Sequence, residues 1–124
     1  MANKKKSGGS TQHELVVCNL EFPRIQKELI ELEEVQFEAV TRSIEKIEQM
    51  TWDQIYKTSS KTQKRELNWE SIEGQQTKSG KAIASIRISD KFRARVCRDR
   101  NLMRFISLHP DHDSAYDESG GENL

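Results

Sequence analysis

The residues best suited to chemistry lie near the C-terminal end. There Ser107-Leu108-His109-Pro110-Asp111-His112-Asp113-Ser114-Ala115-Tyr116 places two of the three histidines beside a tyrosine. Histidine titrates near neutrality and can take or give a proton. A phosphodiester with a neighbouring 2′-hydroxyl is cleaved without a metal under three conditions: a base removes the hydroxyl proton, an acid protonates the leaving oxygen, and cations stabilise the charge that develops on the phosphate. His109, His112 and Tyr116 are candidates for the acid and the base. Two plainer readings of the same run stay open. One is an Asx turn with incidental histidines. The other is a metal site, which the Pro110 kink and the missing distant third ligand disfavour.

The cations such a reaction needs stand just upstream. Net charge is zero, yet the charges are segregated along the chain. Residues 1–13 carry three lysines, and residues 14–50 carry four basic and nine acidic groups. Residues 51–77 cancel, with four of each, and residues 78–109 carry nine basic groups against only Asp90 and Asp99. Residues 110–124 are again acidic, with five carboxylates and no lysine or arginine. The basic block is therefore a candidate local anion site in a neutral protein.

Three runs of strand length fill that block: Lys81–Ser89, Phe92–Arg98 and Asn101–His109, separated by turns at Asp90-Lys91 and Asp99-Arg100. Side chains alternate along a strand, so Ile86, Ile88, Phe92, Ala94, Val96, Met103 and Phe105 can share one buried face. The opposite parity collects Arg87, Arg93, Arg95 and Arg104, with Lys91 at a turn. A guanidinium is a planar fork of donors that matches phosphate oxygens and keeps its charge at any working pH. The alternative is a solvated outer face with no particular ligand.

Upstream elements must carry this meander. His13–Leu20 holds the β-branched cluster of a first strand, and Pro23 suits the opening turn of a helix. Ile25, Leu29 and Leu32 recur at helical spacing, as do Phe37, Val40, Ile44 and Ile47. The five-residue step between Leu32 and Phe37 breaks the phase, which predicts two antiparallel helices with a tight join. Thr51 and Gln54 form a capping-box pattern that starts a short third helix through Trp52, Ile55 and Tyr56. Leu67, Trp69 and Ile72 suit a short extended piece before Gly74, and Gln75–Gly80 reads as a loop.

At 124 residues, with no Pro/Gly/Ser-rich break in the interior, one α+β domain over residues 13–116 is expected. A basic N-terminal arm, residues 1–12, and an acidic tail, residues 117–124, flank it. No apolar run is long enough for a membrane span, and the first residues lack the apolar middle of a signal peptide, so a cytoplasmic setting without a membrane partner is expected. Cys18 and Cys97, far apart and without CxxC spacing, read as buried thiols.

The segment from Ile83 to Tyr116, IASIRISDKFRARVCRDRNLMRFISLHPDHDSAY, resembles the C-terminal meander of RelE/ParE-superfamily toxins, the toxin halves of bacterial type II toxin-antitoxin pairs. The matching features are Ser85-Ile86-Arg87, the Phe92-Arg93 dipeptide, and the His-rich stretch ending in Ala115-Tyr116. Leu67-Asn68-Trp69-Glu70 is similar to the element that precedes that meander, and the likeness extends over about residues 14–116. It implies a βααβββ domain, an antiparallel sheet packed on a helical hairpin. It also implies a metal-independent mRNA endoribonuclease that acts on the ribosome, inhibits translation, needs no cofactor, and is held inactive by a cognate antitoxin. Arg93 would stabilise the phosphate, His112 and Tyr116 would move protons or stack on a base, and Glu70 would be a supporting acid. The superfamily also contains DNA gyrase inhibitors without nuclease residues, and an inactive toxin that only binds its antitoxin is a further alternative.

Overall fold

A computed structural model describes residues 11–59 and 67–111. The elements are β1 (Val17–Asn19), α1 (Pro23–Glu31), α2 (Glu34–Ile47), α3 (Trp52–Lys57), β2 (Glu70–Gln76), β3 (Ala82–Arg87), β4 (Arg93–Asp99) and β5 (Leu102–His109). Pro23 opens α1, as its fixed φ favours. Leu32 and Glu33 are both extended and separate the two helices, which is where the apolar phase breaks. A capping box closes the start of α2 through Glu33 and Gln36, and another starts α3 through Thr51 and Gln54.

The strands form one sheet in the order β1-β5-β4-β3-β2. Strands β2 to β5 make an antiparallel meander, and β1 lies parallel to β5, with Val17 opposite Leu102 and Asn19 opposite Arg104. The sheet is therefore mixed, not antiparallel throughout as expected, because the helices carry the chain from β1 to the far edge and the meander returns beside it. Two further expectations are corrected. The order is βαααββββ: the third helix expected from Thr51 and Gln54 is present, and with the full strand at β2 it departs from the βααβββ order that the resemblance implies. That strand runs through Gly74, whose φ of +81° accompanies a register irregularity between Ser71 and Gln76, so the loop expected at residues 75–80 is shorter. Thr11 and Gln12 accept hydrogen bonds from Arg98, while residues 1–10 of the expected arm and the expected tail lie outside the described residues.

The helix-side core joins Ile25, Val40, Ile47, Trp52 and Ile55 to Ile86, Phe92, Ala94, Val96, Met103, Phe105 and Leu108 of the sheet and its turns. Ile88 packs at its margin. The opposite face has a smaller apolar belt, in which Ile83, Cys97 and Ile106 are buried and Phe22 and Ile72 pack against them.

Arg98 ties the layers together on the helix side. Its guanidinium stacks 4.7 Å above the Trp52 ring and donates to Tyr56 Oη, Gln12 Oε1 and Thr11 Oγ1, while its Nε donates to Arg100 O. Trp52, Tyr56 and Trp69 pack with ring centroids 5.5–5.6 Å apart beneath it. One charged side chain thus fixes the N-terminal segment, α3 and the β4–β5 turn. The turn itself needs that help, because Arg100 has a φ of +60°, a conformation L-residues adopt at a cost. Replacing Arg98 with alanine should lower unfolding stability by about 3 kcal/mol, from lost charge-assisted hydrogen bonds and cation–π contact. Arg98→Lys should recover only part, since an ammonium lacks the planar fork. Urea melts of the two variants against the parent chain measure both effects.

Candidate functional site

Register places the arginines. Across β3, β4 and β5, Arg87 lies opposite Arg93 and Arg93 opposite His109, so the three form one row on the face away from the helices. The next row toward the β4–β5 turn runs Glu70, Ser85, Arg95 and Ser107 across β2 to β5. Neighbours in such rows have Cβ atoms roughly 5 Å apart, close enough for their side chains to interact.

His109 reaches this face because β5 carries a bulge. Arg95 is opposite Ser107 and Val96 is opposite Phe105, so Ile106 is the extra residue. Strict alternation would put Ser107 and His109 on the same side as Met103 and Phe105, in the helix-side core. The bulge reverses the parity and sets Ser107 beside Arg95 and His109 beside Arg93. At that end β5 has outrun β1, and Glu28 of α1 covers the edge: its Oε1 accepts from Leu108 N at 2.7 Å, while Oε2 accepts from Arg24 Nε.

The members differ in access. Arg95 is 0% exposed and His109 1%, and Ser85 and Ser107 are also buried. The His109 Nε2 lies 2.7 Å from Ser107 Oγ, which orients the imidazole. Arg87 and Arg93 are half-buried. Arg93 Nη1 donates to the carbonyl oxygens of Ser89 and Asp90, bracing the β3–β4 turn, where Lys91 is exposed. Arg87 has no ion-pair partner among the described residues, and its Nε is buried without an acceptor. Such a guanidinium favours an external anion. Glu70 is exposed on the outermost strand, in line with Arg95 and separated from it by Ser85.

Arg104 does not join this group. It lies opposite Cys97, beyond the apolar belt, where it stacks 4.7 Å from the Phe22 ring and stands 3.8 Å from Asp99. His112 and Tyr116 lie outside the described residues. Ser85 and Ser107 were not singled out from the sequence, although Ser107 precedes His109 by two residues and must share its side of a regular strand. Among the described residues no group of three or more His, Cys, Asp or Glu side chains is placed to hold a metal ion, and no helix is long and apolar enough to cross a membrane.

Comparison with protein-family models, with curated proteins and with solved structures finds no match to this chain. Its chemistry must therefore be read from the side chains themselves.

The thiols are poor nucleophiles in this setting. Burial pushes the Cys18 thiol up to about 12, and the Glu48 carboxylate, which accepts from Cys18 N at 2.8 Å, adds to the shift. Burial also raises Cys97, with Arg104 and Lys81 opposing and Asp99 assisting. In the native protein both should resist iodoacetamide at pH 8 and react once the chain is unfolded in urea. Because folding raises the Cys18 pKa, the folded state retains a proton that the unfolded chain loses near 9.0. That contribution is complete below pH 9 and is lost as pH climbs toward about 12. Cys18→Val should flatten the alkaline decline in urea-melt stability over that window; an unchanged slope would place its cause elsewhere.

Proposed function

We propose that the protein binds RNA on the sheet face away from its helices and cleaves it without a metal, in the manner of a RelE-type toxin that acts on ribosome-bound messenger. The RelE-like topology itself is part of this proposal. The carrying observation is the cross-strand row Arg87–Arg93–His109, in which Arg87 offers donors with no partner in the described fold. Arg87 and Arg93, both half-buried, are the groups that would grip a phosphate, with Lys91 beside them at the turn. Buried Arg95 adds positive potential behind them, and Glu70 stands at the outer end of its row as a supporting acid.

In the proposed reaction a base takes the 2′-hydroxyl proton and the 2′-oxygen bonds to phosphorus. The bond to the 5′-oxygen breaks, and that oxygen receives a proton from the acid, leaving a 2′,3′-cyclic phosphate and a 5′-hydroxyl. His109 is too enclosed to meet the sugar directly, so it serves here as a positioning residue, held by Ser107 in the arginine row. Proton transfer falls to His112 and Tyr116, the other two acid–base candidates of the C-terminal run. A cytoplasmic setting, the ribosome as platform and an antitoxin partner belong to the same proposal.

The enclosure of His109 and the use of Arg93 Nη1 as a turn brace also favour a second reading, a member of the same fold that binds a macromolecule without cutting it, as a gyrase inhibitor or antitoxin-bound relic would. End-labelled messenger incubated with the protein and ribosomes in magnesium buffer, where a cyclic-phosphate end marks attack by the 2′-oxygen, separates the two. The nuclease reading expects cyclic-phosphate ends, with cleavage reduced roughly 100-fold in Arg87→Ala and in His112→Ala. Intact messenger together with inhibited DNA supercoiling would establish the binding reading.

A further inference from the structure

Beyond the apolar belt, the same sheet face carries a second group of cations that the reading above does not use. A cleft of about 190 Å³ is lined by Phe22, Thr77, Lys78, Lys81, Asp99 and Arg104, together with Ser79 and Cys97. Three cations there face a single carboxylate. Asp99 lies between two of them, 3.6 Å from Lys81 Nζ and 3.8 Å from Arg104 Nη1, and both contacts are partly exposed and long. Lys78 has no ion-pair partner among the described residues, and Arg104 Nε has no acceptor. The β2–β3 turn adds hydroxyls. Thr77 Oγ1 accepts from Lys81 N and lies 3.0 Å from Ser79 Oγ, with Gly80, at a φ of +88°, closing the loop. Half-buried Phe22 supplies an aromatic wall. Surplus positive charge, hydroxyl groups and a stacked Arg104–Phe22 pair in one cleft match a nucleotide: a phosphate for the lysines and a flat base beside the planar guanidinium that covers the ring.

We propose that this cleft is a second nucleotide subsite for single-stranded RNA, on the strand that the Arg87–Arg93 row holds; it rests on the RNA reading above. The spacing fits such a track. Arg93 and Cys97, the β4 residues at the two ends, are four residues apart, or roughly 13 Å along a strand. An extended single strand needs about three nucleotides to put a phosphate at each end, more than a dinucleotide supplies. From Arg93 toward the cleft the face passes the row of Ser85, buried Arg95 and Ser107 and then the apolar belt of Ile83, Cys97 and Ile106, so the exposed phosphate grips are at the two ends and the intervening nucleotides cross a surface with no exposed cation.

The test uses the full chain and fluorescein-labelled uridine oligonucleotides, a dinucleotide and a hexanucleotide, followed by anisotropy across a salt series. The dinucleotide should engage one end only and the hexanucleotide both, with higher affinity. Lys78→Ala/Lys81→Ala alters two exposed lysines whose removal leaves the backbone turn in place. It should lower hexanucleotide affinity tenfold or more, reduce the salt slope by about 1.4 for the two lost contacts, and erase the length advantage. Asp99→Asn should tighten hexanucleotide binding. If the lysine variant binds the hexanucleotide as the parent does while Arg87→Ala/Arg93→Ala abolishes binding, the second subsite is refuted and the RNA reading survives. If neither oligonucleotide binds even at low salt, the second subsite is refuted, and the messenger-cleavage assay with ribosomes decides the RNA reading separately.

Discussion

The arrangement of this protein depends on one extra residue in one strand. Ile106 has no partner on β4, and its insertion reverses the alternation of β5 between Phe105 and Ser107. Before the bulge, Met103 and Phe105 fill the helix-side core; after it, Leu108 takes that duty while Ser107 and His109 turn to the arginines. Ile106 itself enters the belt with Ile83 and Cys97. A continuous apolar core and a polar row on the reverse face are thus met by the same eight-residue strand.

The charge segregation of the sequence gains a structural meaning from this sheet. Acidic residues of the helices act at its edges: Glu28 accepts from Leu108 N where β1 no longer covers β5, and Glu48 accepts from Cys18 N on the outer side of β1. An edge donor satisfied by a carboxylate is unavailable for pairing with another chain. The arginines divide by parity. Arg98, on the core side of β4, is a structural clamp in an aromatic nest. Arg87, Arg93 and Arg95, on the reverse side, form the candidate anion site, with Arg104 apart from them at the other end.

That reverse face resembles a track more than a pocket. Its two cationic ends are separated by an apolar belt, and the best-enclosed groups, Arg95 and His109, contribute potential and positioning, leaving direct contact to others. An elongated polyanion suits such a layout better than a small ligand, whose charges could not reach both ends. The half-buried Arg87 and Arg93 and the exposed lysines near the β2–β3 turn are the points of contact such a ligand would meet.

The local elements were legible in the residues. Pro23 announced α1, the Thr51/Gln54 pair announced α3, and the alternation of Ile86, Phe92, Ala94 and Val96 announced which side of the meander is buried, because these signals act within a turn of helix or a few strand residues. Strand β2 was less legible, since its polar residues and Gly74 resemble a loop when read alone and its pairing with β3 is what makes it a strand. The parallel match of β1 with β5 and the bulge at Ile106 were decided only by tertiary structure. Each depends on which strand becomes the neighbour across the sheet, and parity counted along one strand carries no information about a residue that its partner strand leaves unpaired. Parity along the strands by itself put Arg87, Arg93 and Arg95 on one face; only the register and bulge of β5 decided that His109 joins Arg87 and Arg93 there and that Arg104 lies at the other end.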